Sequence, residues 1–257
     1  MRKESFNFAL VGSGRVATHL AEALVKGGVT CSALYSPTKS HATALAQKIG
    51  AETVDSIDQL AVLPVDFVLI AVKDDTIGEV ASHFPSDYNG VVLHTSGGTS
   101  IDALTPIKNR GVLYPMQTFS ENRELVISEI PIFPEANTQK CQEVIGKITN
   151  ALCSRQVHYL SSKERVKLHL ASVFACNFVN HLYSISDEVL HDIGLDFQLL
   201  GPLVKETLNK ALSASPKEVQ TGPAIRHDYR TIDHHLALLQ GQSREIYEVL
   251  TKSIMNH

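Results

Sequence analysis

The sequence is poor in cysteine, in long apolar runs and in charge of one sign. Its 257 residues include four cysteines, which lie far apart and form no C-x-x-C pair. Free thiols in a reducing cytoplasm are the simplest interpretation. No apolar run is long enough to span a membrane, and the short run near the N-terminus does not predict a signal peptide. A formal net charge of −4 at pH 7 gives no reason to expect binding to nucleic acid or to a membrane surface.

Clustered metal ligands are also scarce. The sequence contains no H-E-x-x-H motif, and its densest group of possible ligands lies in residues 227–235. In a helix, His227 and His234 would be two turns apart, which is too far for a simple i, i+4 metal pair. No metal site is therefore expected, and a metal-dependent hydrolase that uses this cluster is kept only as a third functional hypothesis.

A glycine turn stands near the N-terminus. Residues 6–17, FNFALVGSGRVA, run from a short apolar strand through Gly12 and Gly14 into a helical segment. Gly12 can take the tight turn out of the strand, and Gly14 leaves room for a pyrophosphate. The helix N-terminus then directs free N–H groups and a partial positive charge at the phosphates. The order strand, glycine turn, helix favours dinucleotide binding over a plain tight turn.

The first 160 residues alternate strand and helix patterns, and the rest are helical. Residues 65–72, VDFVLIAV, are almost continuously apolar, which is typical of a strand buried on both faces of a parallel sheet. A long helix is predicted over residues 163–193. The sequence thus predicts an α/β fold, with a doubly wound, mostly parallel Rossmann sheet in residues 1–160 and an all-α helical-bundle domain in residues 161–257.

Three further predictions concern local structure in the first 160 residues. Ser36 is predicted to cap a helix that starts at Pro37. Asp74 or Asp75 is predicted to cap the helix after the fourth strand pattern. Residues 156–159 are predicted to form a last strand.

The segment after the second strand distinguishes the two nicotinamide dinucleotides. An NAD-preferring site carries Asp or Glu here for the ribose 2′-OH. Residues 35–40, YSPTKS, contain no acid and offer hydroxyls and a lysine to a 2′-phosphate, although a plain capped loop would have the same composition. NADP is therefore the predicted cofactor. Its predicted contacts come from three loops at the carboxyl edge of the sheet: Gly12, Ser13, Gly14, Arg15, Val16, Ser36, Thr38, Lys39, Ala71, Val72 and Lys73.

A second glycine-containing loop, residues 94–100 with the sequence HTSGGTS, follows another buried strand. It would lie beside the nicotinamide end of the cofactor. Ser96 is a catalytic candidate and Gly97 a substrate-binding candidate, because a hydroxyl and backbone N–H groups can hold a carbonyl or a carboxylate. A purely structural turn would explain the same residues.

The predicted long helix carries polar residues on a mainly apolar surface. His169 and Asn180 are eleven residues apart, close to three full turns, and Asn177 is offset from His169 by roughly 80°. His169 is the first candidate for a general acid, because histidine ionises near neutral pH, and Asn177 is a further catalytic candidate. Asn180, on the same helix, is a candidate for substrate binding. The alternative is that these three side chains make helix–helix hydrogen bonds or capping contacts in the core of a bundle or a dimer.

A further candidate for substrate binding is Arg226, which lies just before a later helix. Its guanidinium is a natural partner for a substrate carboxylate or for a cofactor phosphate.

Three further stretches carry a family resemblance together with the glycine turn: residues 113–120, LYPMQTFS; residues 169–178, HLASVFACNF; and residues 221–228, TGPAIRHD. With them, essentially the whole chain resembles a family of Rossmann-like NADP-dependent oxidoreductases whose helical C-terminal domain has no characterised function. The layout is similar to that of pyrroline-5-carboxylate reductase, the deazaflavin-dependent NADP reductases and the β-hydroxyacid dehydrogenases.

The resemblance implies a homodimer formed through the helical domain, which closes the site over the nicotinamide. The β-hydroxyacid dehydrogenases carry a lysine on the long helix, with an asparagine one turn later. Here Val173 lies four residues before Asn177 and Cys176 four residues before Asn180. No lysine therefore stands at the corresponding position of this helix, and the mechanism of the β-hydroxyacid dehydrogenases is not assigned to this protein.

These observations together predict a function. Hydride transfer to a C=O or C=N bond needs a cofactor, an orienting polar group and, for most substrates, a proton donor. The sequence predicts a cytoplasmic NADP(H)-dependent oxidoreductase that acts on a small carbonyl or imine, or on the matching alcohol or amine, in an interdomain cleft. The alternative is a non-catalytic NADP-binding sensor or regulatory protein, because the lysine is missing.

Overall fold

The chain folds into two compact units in a computed structural model that describes residues 6–121 and 123–256. The first unit is Met1–Ser172 and the second is Val173–His257. The domain boundary near residue 160 stays a prediction. None of the described helices is long and apolar enough to cross a membrane.

The first unit is built on one seven-stranded sheet with the strand order β3-β2-β1-β4-β5-β6-β7. The first six strands pair in parallel, and β7 pairs antiparallel with β6. This order confirms the predicted doubly wound, mostly parallel Rossmann sheet. The strands are β1 (Asn7–Val11), β2 (Thr30–Tyr35), β3 (Glu52–Thr53), β4 (Phe67–Ile70), β5 (Val91–His94), β6 (Arg110–Pro115) and β7 (Ile132–Ala136).

The sheet is covered on both faces, which is why its central strands are continuously apolar. Successive side chains of a strand point to opposite faces, so each strand contributes to two separate cores. One core contains Phe8, Leu10, Phe67, Leu69 and Leu93, and the other contains Ala9, Val11, Val68, Ile70 and Val92. The helices of this unit are α1 (Arg15–Lys26), α2 (Lys39–Ile49), α3 (Ile57–Ala61), α4 (Ile77–Ser82), α5 (Gln139–Ala151) and α6 (Ser162–Ser172).

Two predicted helix caps are wrong. Helix α2 begins at Lys39 after Thr38, and the Ser36 hydroxyl is instead bonded to Ser13. The segment Asp74–Thr76 is a short 3-10 helix ahead of α4, and the Asp74 carboxylate accepts from Ser96. In both cases a serine hydroxyl from another loop donates a hydrogen bond to the predicted cap residue, and this bond competes with capping.

The last predicted strand, residues 156–159, is also corrected. It is reduced to an isolated bridge between Val157 and Ile132.

The second unit is helical, as predicted. The chain from Ser162 to His191 is helical throughout, and its middle part, Val173–Phe178, is a π-helix. The π-helix replaces i→i+4 by i→i+5 hydrogen bonds and so changes the angular spacing of side chains. The α-helices of this unit are α7 (Val179–His191), α8 (Gly201–Ser213), α9 (Tyr229–Leu238) and α10 (Gly241–Met255).

The second unit buries little of its own apolar surface. Among the described residues 173–256, Ala224 and Ile232 are the only apolar side chains that are buried, each with 6% of its surface exposed. Monomeric proteins seldom leave large apolar patches exposed, so this surface is suited to contact with a partner. Its large exposed apolar side chains include Phe174, Phe178, Val189, Ile193, Leu199, Leu203, Leu208, Leu212, Leu238 and Val249.

Candidate functional site

An open cavity of about 2390 Å³ runs along the carboxyl edge of the sheet in the first unit. The strands β1, β2, β4, β5 and β6 are parallel, so the loops after them meet at this edge. Most of the predicted site residues of this unit line the cavity: Ser13, Gly14, Arg15, Val16, Ser36, Thr38, Ala71, Val72, Lys73, Ser96, Gly97 and His169.

The glycine turn has the geometry that a dinucleotide pyrophosphate requires. Gly12 has φ +111, and a Cβ atom there would overlap the carbonyl of Ala71. Its N–H donates to the carbonyl oxygen of Tyr35 over 2.8 Å. Gly14 precedes α1, and a Cβ atom built on it meets no protein atom within 4 Å. The space in front of the α1 N-terminus is therefore open. The first N–H groups of a helix have no partner within it, so those of α1 are suited to bind a phosphate there.

The end of β2 is held to the glycine turn by a hydroxyl pair. Ser13 donates to Ser36 Oγ over 2.8 Å. Lys39, a predicted cofactor contact, forms an ion pair with Asp55, with 2.9 Å between Lys39 Nζ and Asp55 Oδ1. That hydrogen bond raises the pKa of Lys39 above its usual value. The assignment of Ser36, Thr38 and Lys39 to a cofactor phosphate stays a prediction.

The residue Ser96 uses its hydroxyl to shape its own loop. It donates to Asp74 Oδ2 over 2.7 Å and accepts from the N–H groups of Gly98 and Thr99 over 3.1 and 2.9 Å. The loop after β5 is thereby tied to the loop after β4. The arrangement favours a structural role for this hydroxyl, and the catalytic role of Ser96 stays a prediction.

The structure brings His169 and Gly97 together with a residue that the sequence analysis did not single out, Tyr114. Tyr114 Oη lies 3.2 Å from His169 Nδ1, and the two rings meet edge to face. A Cβ atom at Gly97 would lie 2.7 Å from the Tyr114 ring and 2.8 Å from His169 Nδ1. Any larger residue at position 97 would have to displace these rings. Because Nδ1 of His169 is at hydrogen-bond distance from Tyr114 Oη, Nε2 is the ring nitrogen left for a ligand in the cavity.

A second histidine, His94, is fully buried at the end of β5. The N–H of Ser96 donates to its Nδ1 over 3.2 Å, so the neutral ring carries its proton on Nε2. Burial, followed by the nearby Arg165 guanidinium, lowers the pKa of His94 to about 4. The ring is therefore uncharged at neutral pH and serves as a fixed acceptor for the loop that holds Ser96.

Acidification should destabilise the protein through His94. The unfolded chain binds a proton near pH 6.5 and the folded chain only near pH 4, so this contribution to stability is complete above pH 6.5 and is lost as the pH falls towards 4. The loss should reach about 3 kcal/mol, since one pKa unit corresponds to about 1.4 kcal/mol. Urea unfolding of the wild type and of His94→Asn at several pH values measures this loss of unfolding free energy. The variant should lack this component, and parallel pH dependences in the two proteins would contradict the assignment.

The remaining candidates lie in the second unit and are exposed. Asn177 is in the π-helix and Asn180 in α7, so an angular spacing worked out for an ideal α-helix does not apply between them and His169. Their common stripe stays a prediction, as does the substrate contact of Arg226. Asp228 is the N-cap of α9, and hydrogen bonds from Thr231 hold the pKa of this carboxyl below its usual value.

No metal centre is assembled by the residues that the structure describes. They contain no group of three or more His, Cys, Asp or Glu side chains placed to hold an ion. The cluster at residues 227–235 that supports the hydrolase hypothesis is therefore not organised as a ligand set.

The sheet order, the glycine turn and the open helix N-terminus define a dinucleotide-binding protein of the Rossmann class. Residues 7–94 match the family described as coenzyme F420-dependent NADP oxidoreductase, and residues 130–254 match a domain of unknown function, DUF2520. A crystal structure from Bacteroides fragilis, of a protein named as an NADP oxidoreductase, is 35% identical with a TM-score of 0.88 and covers 99% of each chain. The chain therefore belongs to this family of Rossmann-type NADP oxidoreductases with a helical C-terminal domain, and NADP is the cofactor of the family.

Two more distant structures share the fold. A reductive aminase from Aspergillus terreus, solved with NADPH and ethyl-5-oxohexanoate, has a TM-score of 0.75 at 13% identity and covers 98% of this chain and 94% of its own. A pyrroline-5-carboxylate reductase from Coxiella burnetii has a TM-score of 0.59 at 17% identity, with 98% and 97% covered. No curated protein matches the sequence closely enough to add to these comparisons.

Proposed function

We propose that the protein is an NADP(H)-dependent oxidoreductase that transfers hydride to or from a small carbonyl or imine substrate. The observation that carries this proposal is the continuity of one cavity from Gly14 to His169. A dinucleotide anchored by its pyrophosphate at the glycine turn would extend along this cavity towards Gly97 and His169. The location of the substrate in an interdomain cleft remains a prediction.

The residues around the glycine turn fit the cofactor. The N-terminus of α1 would hold the pyrophosphate through its free N–H groups. Residues 35–40 contain no carboxylate, and the hydroxyls of Ser36 and Thr38 lie in the cavity lining, so a 2′-phosphate would meet no negative side chain in this segment. Lys39 could join them by exchanging Asp55 for the phosphate. This set supports NADP over NAD.

In the proposed reaction, His169 is the proton donor. Bound NADPH supplies the hydride. Tyr114 holds Nδ1 of His169, which orients the ring and leaves Nε2 to donate a proton to the carbonyl oxygen or imine nitrogen. Gly97 allows both rings to pack closely on the loop. The reductive aminase structure contains NADPH together with a keto ester, which supports a carbonyl or imine as the substrate class.

Binding and turnover test the proposal separately. We expect the purified protein to bind NADPH more tightly than NADH in a fluorescence titration. It should then oxidise NADPH when offered members of a panel of small ketones, keto acids and cyclic imines, with transfer of deuterium from labelled NADPH to the product. Tight NADPH binding without turnover across the panel would favour the alternative, a nucleotide sensor. Failure to bind either nucleotide would exclude both functions.

We also infer that the protein is a homodimer formed through the second unit, because that unit leaves its large apolar side chains exposed. Leu208 and Leu212 lie one turn apart on α8 and are 56% and 77% exposed. Replacing both by glutamate should yield a monomer in light scattering or sedimentation. The control is Val62→Glu, at a side chain of the first unit that is 81% exposed, which should leave the mass unchanged. A wild-type protein that is monomeric at micromolar concentration would contradict the inference.

A further inference from the structure

Helix α6 contains a fully buried arginine inside a strongly charged stretch of sequence. Arg165 is 0% exposed. Its Nη1 pairs with the carboxylate of Glu135, and its Nη2 donates to the carbonyl oxygen of Thr99 over 2.6 Å and to Ser162 Oγ over 3.2 Å. Burying a guanidinium is costly unless its partners are well placed, so this side chain is held by a specific set of acceptors.

The partners of Arg165 belong to three different segments. Thr99 lies in the loop after β5, Glu135 lies on β7, and Ser162 opens α6. Ser162 strengthens the connection, because it donates to Glu135 Oε2 over 2.7 Å and accepts from the N–H of Ile101 over 3.0 Å. The loop, the strand and the helix are therefore joined by one polar network.

This network lies next to the candidate proton donor. His169 follows Arg165 by four residues, about one helical turn, so both side chains are on the same face of α6. Gly97 precedes Thr99 by two residues and is in close contact with His169 and Tyr114. A Cβ atom at Gly97 would lie 2.8 Å from His169 Nδ1, so the loop and the helix approach each other closely at this point.

We propose that the Arg165–Glu135 pair is a positioning device that holds His169 against Gly97 and Tyr114, which makes Arg165 a positioning residue for proton transfer. This inference rests on the proposed function of His169. Arg165 is enclosed by protein and both of its terminal nitrogens are engaged, so it is not available to bind a substrate carboxylate. A buried ion pair is seldom needed for stability alone, since apolar side chains of similar volume often replace it without loss. An apolar side chain at position 165 could fill the same volume, but it could not donate the hydrogen bond that fixes the Thr99 carbonyl oxygen.

The test is the double variant Arg165→Met with Glu135→Met, which replaces the pair by apolar side chains. It should keep NADPH affinity within about twofold of the wild type, because the glycine turn is untouched. The value of kcat should fall by about 10- to 100-fold with little change in KM, since small misplacements of a catalytic group have effects of this size. A second variant, Arg165→Lys, keeps the charge opposite Glu135 but loses the forked contacts, and it should show the same separation of kcat from KM.

A readout independent of turnover is the imidazole nitrogen NMR signal of His169, assigned by its disappearance in His169→Gln. Both Arg165 variants should change this signal, because the contact of Nδ1 with Tyr114 is altered. The matched control is Arg110→Met. Arg110 is a part-buried arginine at the start of β6, whereas Tyr114 is near the end of this strand, so the variant should leave the His169 signal unchanged.

Folded Arg165 variants with a wild-type His169 signal would overturn the positioning role, and so would an unchanged kcat. If the wild type binds NADPH but shows no turnover, the proposed function fails, and the NMR signal still decides whether Arg165 positions His169.

Discussion

Replacing His169 by asparagine should lower kcat by about 10²- to 10⁴-fold, the contribution that general acid catalysis usually makes. An asparagine amide can occupy the place of Nδ1 and keep a hydrogen bond to Tyr114, but it has no group in the place of Nε2. The affinity for NADPH should stay within about twofold of the wild type, because the glycine turn is unchanged. Steady-state kinetics and a nucleotide titration on the same preparation measure both quantities.

Two further variants sharpen this test. His169→Gln places its amide near the position of Nε2, so it can still donate a hydrogen bond but cannot transfer a proton, and it should be as slow as His169→Asn. His83→Asn removes a histidine that pairs with Asp58 on the surface of the first unit, and its kcat should equal that of the wild type. If His169→Asn turns over at the wild-type rate, His169 is not the proton donor.

Local sequence patterns were sufficient to predict the sheet. The continuous apolar runs of β4 and β5 and the glycine turn after β1 depend on neighbouring residues only, and the strand order follows the topology that such units share. For the same reason, His169 and Gly97 could each be nominated from its own stretch of sequence. Their contact could not be predicted, because it depends on Tyr114, which is 55 residues from His169 in the chain.

The two wrong helix caps have a common physical cause. Ser36 and Asp74 both have the residue type of a helix cap, yet each is bonded to a hydroxyl from another loop. Arg165 is similar: in the charged segment KERVK it has the pattern of a solvated helix face, and it is buried only because Glu135 and Thr99 provide acceptors. Polar side chains are placed by partners that are distant in sequence, whereas apolar strands are recognisable from their own composition.

The glycines of the turn after β1 should fail in two different ways when replaced by alanine. Gly12→Ala should destabilise the first unit by about 3 kcal/mol or more, because φ +111 is strained for alanine and the Cβ atom would overlap the Ala71 carbonyl. Gly14→Ala should fold normally, since its Cβ atom meets no protein atom. It should nevertheless weaken NADPH binding by about 10- to 100-fold, because the methyl group would occupy the space proposed for the pyrophosphate. The pyrophosphate would then lose a charge-assisted hydrogen bond.

The pair separates the structural role of the turn from its role in binding. Urea unfolding and an NADPH titration of both variants give four values, and the expected pattern is one large loss of stability at Gly12 and one large loss of affinity at Gly14. If Gly14→Ala binds NADPH as tightly as the wild type, the pyrophosphate does not lie at the N-terminus of α1. The placement of the cofactor along the cavity towards His169 would then be wrong as well, because it is anchored at that point.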